Sequence, residues 1–134
     1  MDNISPEKRS WQMSRVPTKN TKPELVVRRL LFKLGYRYRL HDKNLPGKPD
    51  IVFSSRHKAI LVHGCFWHRH QNCKYSSMPK SRIEFWKEKF SKTVIRDKKN
   101  IAELQSMGWN ILTVWTCELN DLQKLEIRLC DFLG

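Results

Sequence analysis

Apolar and polar positions along the chain predict a short helix, a group of strands, a helical stretch, one further strand and a closing helix. The first helix is expected to begin after Thr21. Thr21-Lys22-Pro23-Glu24 has the spacing of a capping box, and proline suits a first helical turn. Leu25, Leu30, Leu31 and Leu34 supply its buried stripe, and Gly35 stops it. Residues 36–40 alternate apolar or aromatic side chains with Arg37 and Arg39, the period of a half-exposed strand. Leu45-Pro46-Gly47-Lys48-Pro49 reads as a turn into a second strand, Asp50-Ile51-Val52-Phe53. Ala59-Ile60-Leu61-Val62 is wholly apolar, as a central strand would be. Two helical patterns follow, over residues 82–92 and 94–105, and Gly108 separates them from a strand over residues 109–115. Leu122, Leu125, Leu129, Phe132 and Leu133 mark the last helix. The order predicts an α/β fold, a small mixed sheet flanked by helices.

Length and charge narrow the function. A chain of 134 residues with 40% hydrophobic residues suits one domain with one core. It has neither an apolar run long enough to span a bilayer nor an apolar secretory leader, so a soluble, cytoplasmic protein is expected. In a reducing compartment its four cysteines read as metal ligands rather than disulfides. Lys and Arg total 26 against 13 Asp and Glu, and they are segregated. Residues 1–50 carry 12 basic and 5 acidic side chains, residues 69–99 carry 10 and 3, and the last 35 carry 2 and 5. Such segregation points to one face that meets a polyanion. Residues 1–20 lack sustained periodicity and form a basic arm ahead of a single domain over residues 21–134.

The candidate chemistry concentrates between His63 and Cys73. Cys65-x4-His70-x2-Cys73 places three borderline-soft ligands in one loop, and Cys117 stands where a fourth is needed for structural zinc. Spacing leaves open whether His63 or His68 takes a zinc position instead of His70. Cys130 lies on the apolar face of the last helix and is read as a buried thiol. Asp50 opens one strand while the next ends at Val62-His63, so the Asp50 carboxylate and the Val62 carbonyl could share a hard cation such as Mg²⁺. His63 and His68 are not needed for a four-ligand zinc site and suit general-base work. Glu24 is accounted for by the capping box. Asp97 shares a +3, +4, +3 stripe with Val94, Ile101 and Leu104, and an inward carboxylate needs a partner: a histidine, a metal-bound water or an arginine. Phe66 and Trp67 form either a local core or a wedge presented to bases.

These residues resemble the very-short-patch repair (Vsr) mismatch endonucleases. The shared segments are Thr21-Lys22-Pro23-Glu24, Leu45 to Asp50, His63-Gly64-Cys65-Phe66-Trp67-His68, Phe85-Trp86, Arg96-Asp97, and Gly108-Trp109 through Cys117. The resemblance implies a fold related to the PD-(D/E)xK restriction endonucleases, with Val62-His63-Gly64 where those enzymes carry a (D/E)xK pair. It implies a Mg²⁺-dependent nick on the 5′ side of the thymine in T:G mismatches left by 5-methylcytosine deamination, beside a cytosine-5 methyltransferase. By the same analogy Asp50 and Val62 hold Mg²⁺, and His68 is the general base. His63 assists at the phosphate, and Glu24 and Asp97 hold waters or orient the histidines. Cys65, His70, Cys73 and Cys117 bind zinc. Phe66, Trp67 and His68 enter the duplex, Trp86 joins the DNA-contacting set, and Met13 and Val16 of the arm reach the other groove. A monomer suffices for a single nick. A restriction-type endonuclease and a non-catalytic zinc-stapled DNA-binding module are the alternatives.

Overall fold

A computed structural model describes residues 21–134, so the arm with Met13 and Val16 lies outside the described residues. Helix α1 spans Lys22–Lys33. Strands β1 (Arg39–Leu40), β2 (Ile51–Phe53) and β3 (Lys58–His63) follow. Helix α2 covers Ile83–Ser106, strand β4 Asn110–Trp115, and helix α3 Leu122–Leu133. The sheet has the order β1-β2-β3-β4. Its first two pairings are antiparallel, and β3 pairs with β4 in parallel from Lys58↔Asn110 to His63↔Trp115. Helix α2 lies in the crossover that a parallel pair requires.

Alternation along the strands decides which side chains meet which helix. Ile51, Phe53, Ile60 and Val114 join Val27, Leu30 and Leu31 of α1 and Leu125, Leu129 and Leu133 of α3 in one apolar cluster. Val52, Ala59 and Leu61 project to the other face and are buried too, as is Leu104 of α2. Both faces of the central strands are therefore covered, as the unbroken apolar run 59–62 predicts. Among the described residues no helix is long and apolar enough to cross a membrane.

Three elements depart from expectation. The two helical patterns after residue 82 are one helix of 24 residues. No glycine or proline interrupts them, and Thr93 at the join satisfies its hydroxyl on the Lys89 carbonyl at 3.1 Å. The first strand shrinks to two residues because β2 ends at Phe53, leaving Tyr36 and Tyr38 to pack edge-on against the Phe53 ring at 6.4 and 6.3 Å. In α1 Leu30 and Leu31 are buried and Leu34 packs against the core as predicted, but Glu24 and Val27 complete the buried set in place of Leu25.

The turn that delivers Asp50 is seated on α2. Gly47 has φ 72°, and a β-carbon there would lie 2.9 Å from Asn100, so both the backbone conformation and the close approach require glycine.

Candidate active site

Two groups of polar side chains flank the segment leaving the end of β3. The first lines a cleft of about 730 Å³ between α1, the Leu45–Pro49 turn and α2. Asp50 is fixed there by buried Pro49, and its carboxylate accepts the Val62 N–H at 2.8 Å. The N–H and C=O of a strand residue point the same way, so the Val62 carbonyl is directed toward this side as well. Burial pushes the Asp50 carboxyl up to about 6; the Val62 N–H opposes the rise and the neighbouring Glu24 adds to it.

Glu24 corrects the sequence reading. Thr21 does cap the helix, accepting the Glu24 N–H at 3.4 Å, but the Glu24 carboxylate does not complete a capping box. It is 1% exposed, ion-paired with Arg28 one turn along and 2.8 Å from His41 Nε2. The spacing that reads as a local cap does not itself report this buried carboxylate in the cleft, where the family resemblance leads one to look for Glu24. Sequence reasoning missed His41 altogether. It stands in a loop without periodicity, at φ 48°, with its N–H on the Asp50 carbonyl at 3.2 Å.

His63 ends β3 at 8% exposure, and burial together with neighbouring His68 pushes its imidazole down to about 4. The two rings stack at 3.8 Å with an interplanar angle of 7°. His68 Nδ1 lies 2.5 Å from Asp97 Oδ2, so the inward carboxylate of α2 has a histidine partner. Asp50, His63, His68 and Asp97, separated by up to 47 positions in the chain, thus line one cleft.

The second group comprises Cys65, His70, Cys73 and Cys117, whose ligand atoms all lie within 4.8 Å of one another. His70 Nδ1 is 3.6 Å from Cys65 Sγ and 3.5 Å from Cys117 Sγ, and its ring stacks on Trp115 at 4.2 Å. His68, engaged by Asp97, is not in this group. Burial opposes ionisation of Cys65, but hydrogen bonds from Thr116 and Cys117 outweigh it and bring the thiol below its ordinary range. Burial and the adjoining Cys65 push Cys117 up to about 12. Crowded thiols of this kind ionise together only around a cation, and three sulfurs with one imidazole fit tetrahedral zinc. Cys130 stands apart on α3.

Between the groups lies an aromatic cluster. Phe66 meets Trp67 at 5.5 Å, Trp86 at 5.8 Å and Phe90 at 5.1 Å. Phe66 and Trp67 are half-buried, and Trp67 borders the cleft. Trp86 is only 5% exposed, so it backs the pair rather than standing at the surface. The Arg69 guanidinium sits 4.0 Å over the Phe90 ring and donates to the carbonyls of Phe66, Ser76 and Ser77, fastening the loop to α2.

Comparison with known proteins agrees with this geometry. The family model of the DNA mismatch endonuclease Vsr matches residues 1–74. The type II nicking enzyme V.XorIIP of Xanthomonas oryzae pv. oryzae is 50% identical over 132 residues, covering 98% of this chain and 96% of its own. The DNA mismatch endonuclease Vsr of Escherichia coli K12 is 42% identical over 117 residues, covering 87% and 74%. Among solved structures, the catalytic domain of the homing endonuclease I-Bth0305I superposes with a TM-score of 0.59 at 25% identity, covering 84% of this chain and 94% of its own. The mixed sheet with flanking helices is thus of the restriction-endonuclease type. A cleft lined by carboxylates and histidines, on that fold, is what these likenesses lead one to expect, and the chain belongs to the Vsr family of DNA mismatch endonucleases.

Proposed function

We propose that this endonuclease nicks one strand of double-stranded DNA on the 5′ side of the thymine in a T:G mismatch. Such mismatches arise from deaminated 5-methylcytosine, so the enzyme would act in a prokaryotic cytoplasm beside a cytosine-5 methyltransferase, as a monomer. The observation that carries the reading is His68 held by Asp97 at 2.5 Å in the cleft that also contains Asp50 and is bordered by Trp67.

With Asp97 accepting the Nδ1–H, His68 keeps Nε2 as a proton acceptor, and its orientation is fixed. It takes a proton from the attacking water as the water oxygen bonds to phosphorus and the bond to the departing oxygen breaks. His63, kept neutral at physiological pH by its burial, stacks behind His68 and donates to the phosphate. Asp50 and the Val62 carbonyl offer hard oxygen ligands, and the upward push on the Asp50 carboxyl is relieved when a cation binds, so the residues fit Mg²⁺. Bound there, Mg²⁺ neutralises phosphate charge and stabilises the departing oxygen. Glu24 holds the cleft's second carboxylate for a water. Phe66 and Trp67, backed by Trp86 and Phe90, enter the base stack beside the mismatch, where unstacking costs least. Met13 and Val16 contact the duplex from the arm. Cys65, His70, Cys73 and Cys117 bind structural zinc that holds this loop in shape.

The test compares the protein with Asp50→Ala on T:G and C:G duplexes carrying a cytosine-methylation site, with Mg²⁺. Nicking of the T strand alone, falling about 10³-fold or more in the variant, is expected. Double-strand cutting of the matched duplex, or unimpaired nicking by the variant, would defeat the reading.

A further inference from the structure

The cleft contains a third ligand-bearing side chain that the proposed Mg²⁺ site leaves unused. Glu24, His41 and Asp50 each direct one ligand atom into a space where all three lie within 4.8 Å of one another. His41 reaches this position from a left-handed backbone at φ 48°, a conformation that a histidine adopts at some cost and that the Asp50 carbonyl helps to hold through the His41 N–H at 3.2 Å. Its Nε2 meets Glu24 Oε2 at 2.8 Å, and Glu24 itself is 1% exposed. The imidazole is thus delivered to the edge of the carboxylate pair, in the same cleft as His63 and His68.

Two carboxylates alone form a hard oxygen site, suited to Mg²⁺ and Mn²⁺ alike. An imidazole nitrogen changes that balance. Mg²⁺ gains little from nitrogen, retains its waters and demands near-ideal octahedral geometry, whereas Mn²⁺, which opens the first-row transition series, accepts one nitrogen beside its oxygen ligands more readily than Mg²⁺ does. We infer that His41 acts with Glu24 and Asp50 as a mixed nitrogen–oxygen cation site, which binds Mn²⁺ in preference to Mg²⁺. Nε2 now donates its proton to the Glu24 carboxylate; a cation entering between them would take the Nε2 lone pair, with the ring proton moved to Nδ1. The inference rests on Asp50 being a cation ligand, as proposed above, and adds the ligand that sets which cation is favoured.

The test is calorimetric titration of the zinc-loaded protein with Mn²⁺ alone and with Mg²⁺ alone, without DNA. The variants are His41→Asn, which tolerates the left-handed backbone, His41→Gln as a second fold-preserving replacement, and Asp50→Asn. Thermal melting checks that each is folded. Loss of about tenfold in Mn²⁺ affinity in both His41 variants, with Mg²⁺ affinity unchanged, is expected. An unchanged ratio of the two affinities overturns the inference, including the case in which both fall together because His41 only positions Glu24. Binding of both cations by Asp50→Asn at the level of the parent protein would overturn the cation site itself, a failure separate from that of His41.

Discussion

The two polar groups beside the end of β3 share one loop, which gives neighbouring residues to each, yet they are arranged for opposite purposes. In the cysteine group every ligand atom faces another ligand atom, and Trp115 and Thr116 close the sides. In the cleft the side chains are held by partners from different elements, His68 by Asp97, Asp50 by the Val62 N–H and Glu24 by Arg28 and His41, around a shared open space. A saturated cage gives rigidity, and an incomplete one gives chemistry. The alternation of the two along His63, Cys65, His68 and His70 lets one support the other at a distance of a few residues.

That contrast can be broken by single substitutions. His68→Ala is expected to lower the nicking rate about 10³-fold while leaving the melting temperature close to that of the parent. A variant that loses stability to match its activity would mean that His68 belongs to the structural group. Cys117→Ser should do the reverse. It is expected to release zinc and reduce the unfolding free energy by about 3 kcal/mol or more, seen in metal analysis and chemical denaturation. Full zinc occupancy with unchanged stability would remove Cys117 from the cage. A smaller effect is expected from Gly47→Ala, about 1–2 kcal/mol from the left-handed backbone, with additional displacement of Asn100. Its nicking rate should fall further than its stability, because Asp50 follows the same turn; equal losses would show that the turn does not position Asp50.

The smallest effect concerns pH. Asp50 titrates near 6 when folded against 3.8 otherwise, so between those values the folded state holds the extra proton and stability declines as pH rises through 6. His63 titrates near 4 against 6.5, so over that interval the unfolded state holds the extra proton and stability declines as pH falls. Between about 4 and 6 the two slopes oppose each other. Asp50→Asn removes the first, so without added Mg²⁺ its urea midpoint should fall more steeply on acidification, by up to about 1.4 kcal/mol per pH unit in free energy. Parallel profiles for parent and variant would show that the cleft does not couple the two groups in this way.

How much of this could be read from the sequence depended on whether a residue's neighbours along the chain reported its surroundings. Asp97 was legible because it interrupts an apolar helical stripe. The cysteine group was legible because three of its members fall within nine residues, although only the fold could separate His70 from His68. From its spacing Glu24 read only as part of a helix start, which Thr21 and Pro23 already explain; the family resemblance alone put it in the site, since no local pattern shows that a carboxylate turns inward toward a residue 17 positions away. His41 gave no signal, since a left-handed loop residue has no period. The continuity of α2 was obscured by the polar stretch between its apolar anchors, which pack against the aromatic loop at one end and the sheet at the other.

The parallel pairing of β3 with β4 has a consequence for how the chain reaches this state. Cys65 and Cys117 each stand two residues beyond the last matched pair, His63↔Trp115. A slip of one position would shift one cysteine by about 3.3 Å relative to the other and turn alternate side chains to the wrong face. Only the correct alignment lets the four ligand atoms converge, so a cation bound there, as proposed, would proofread the assembly of the strands that carry the nuclease.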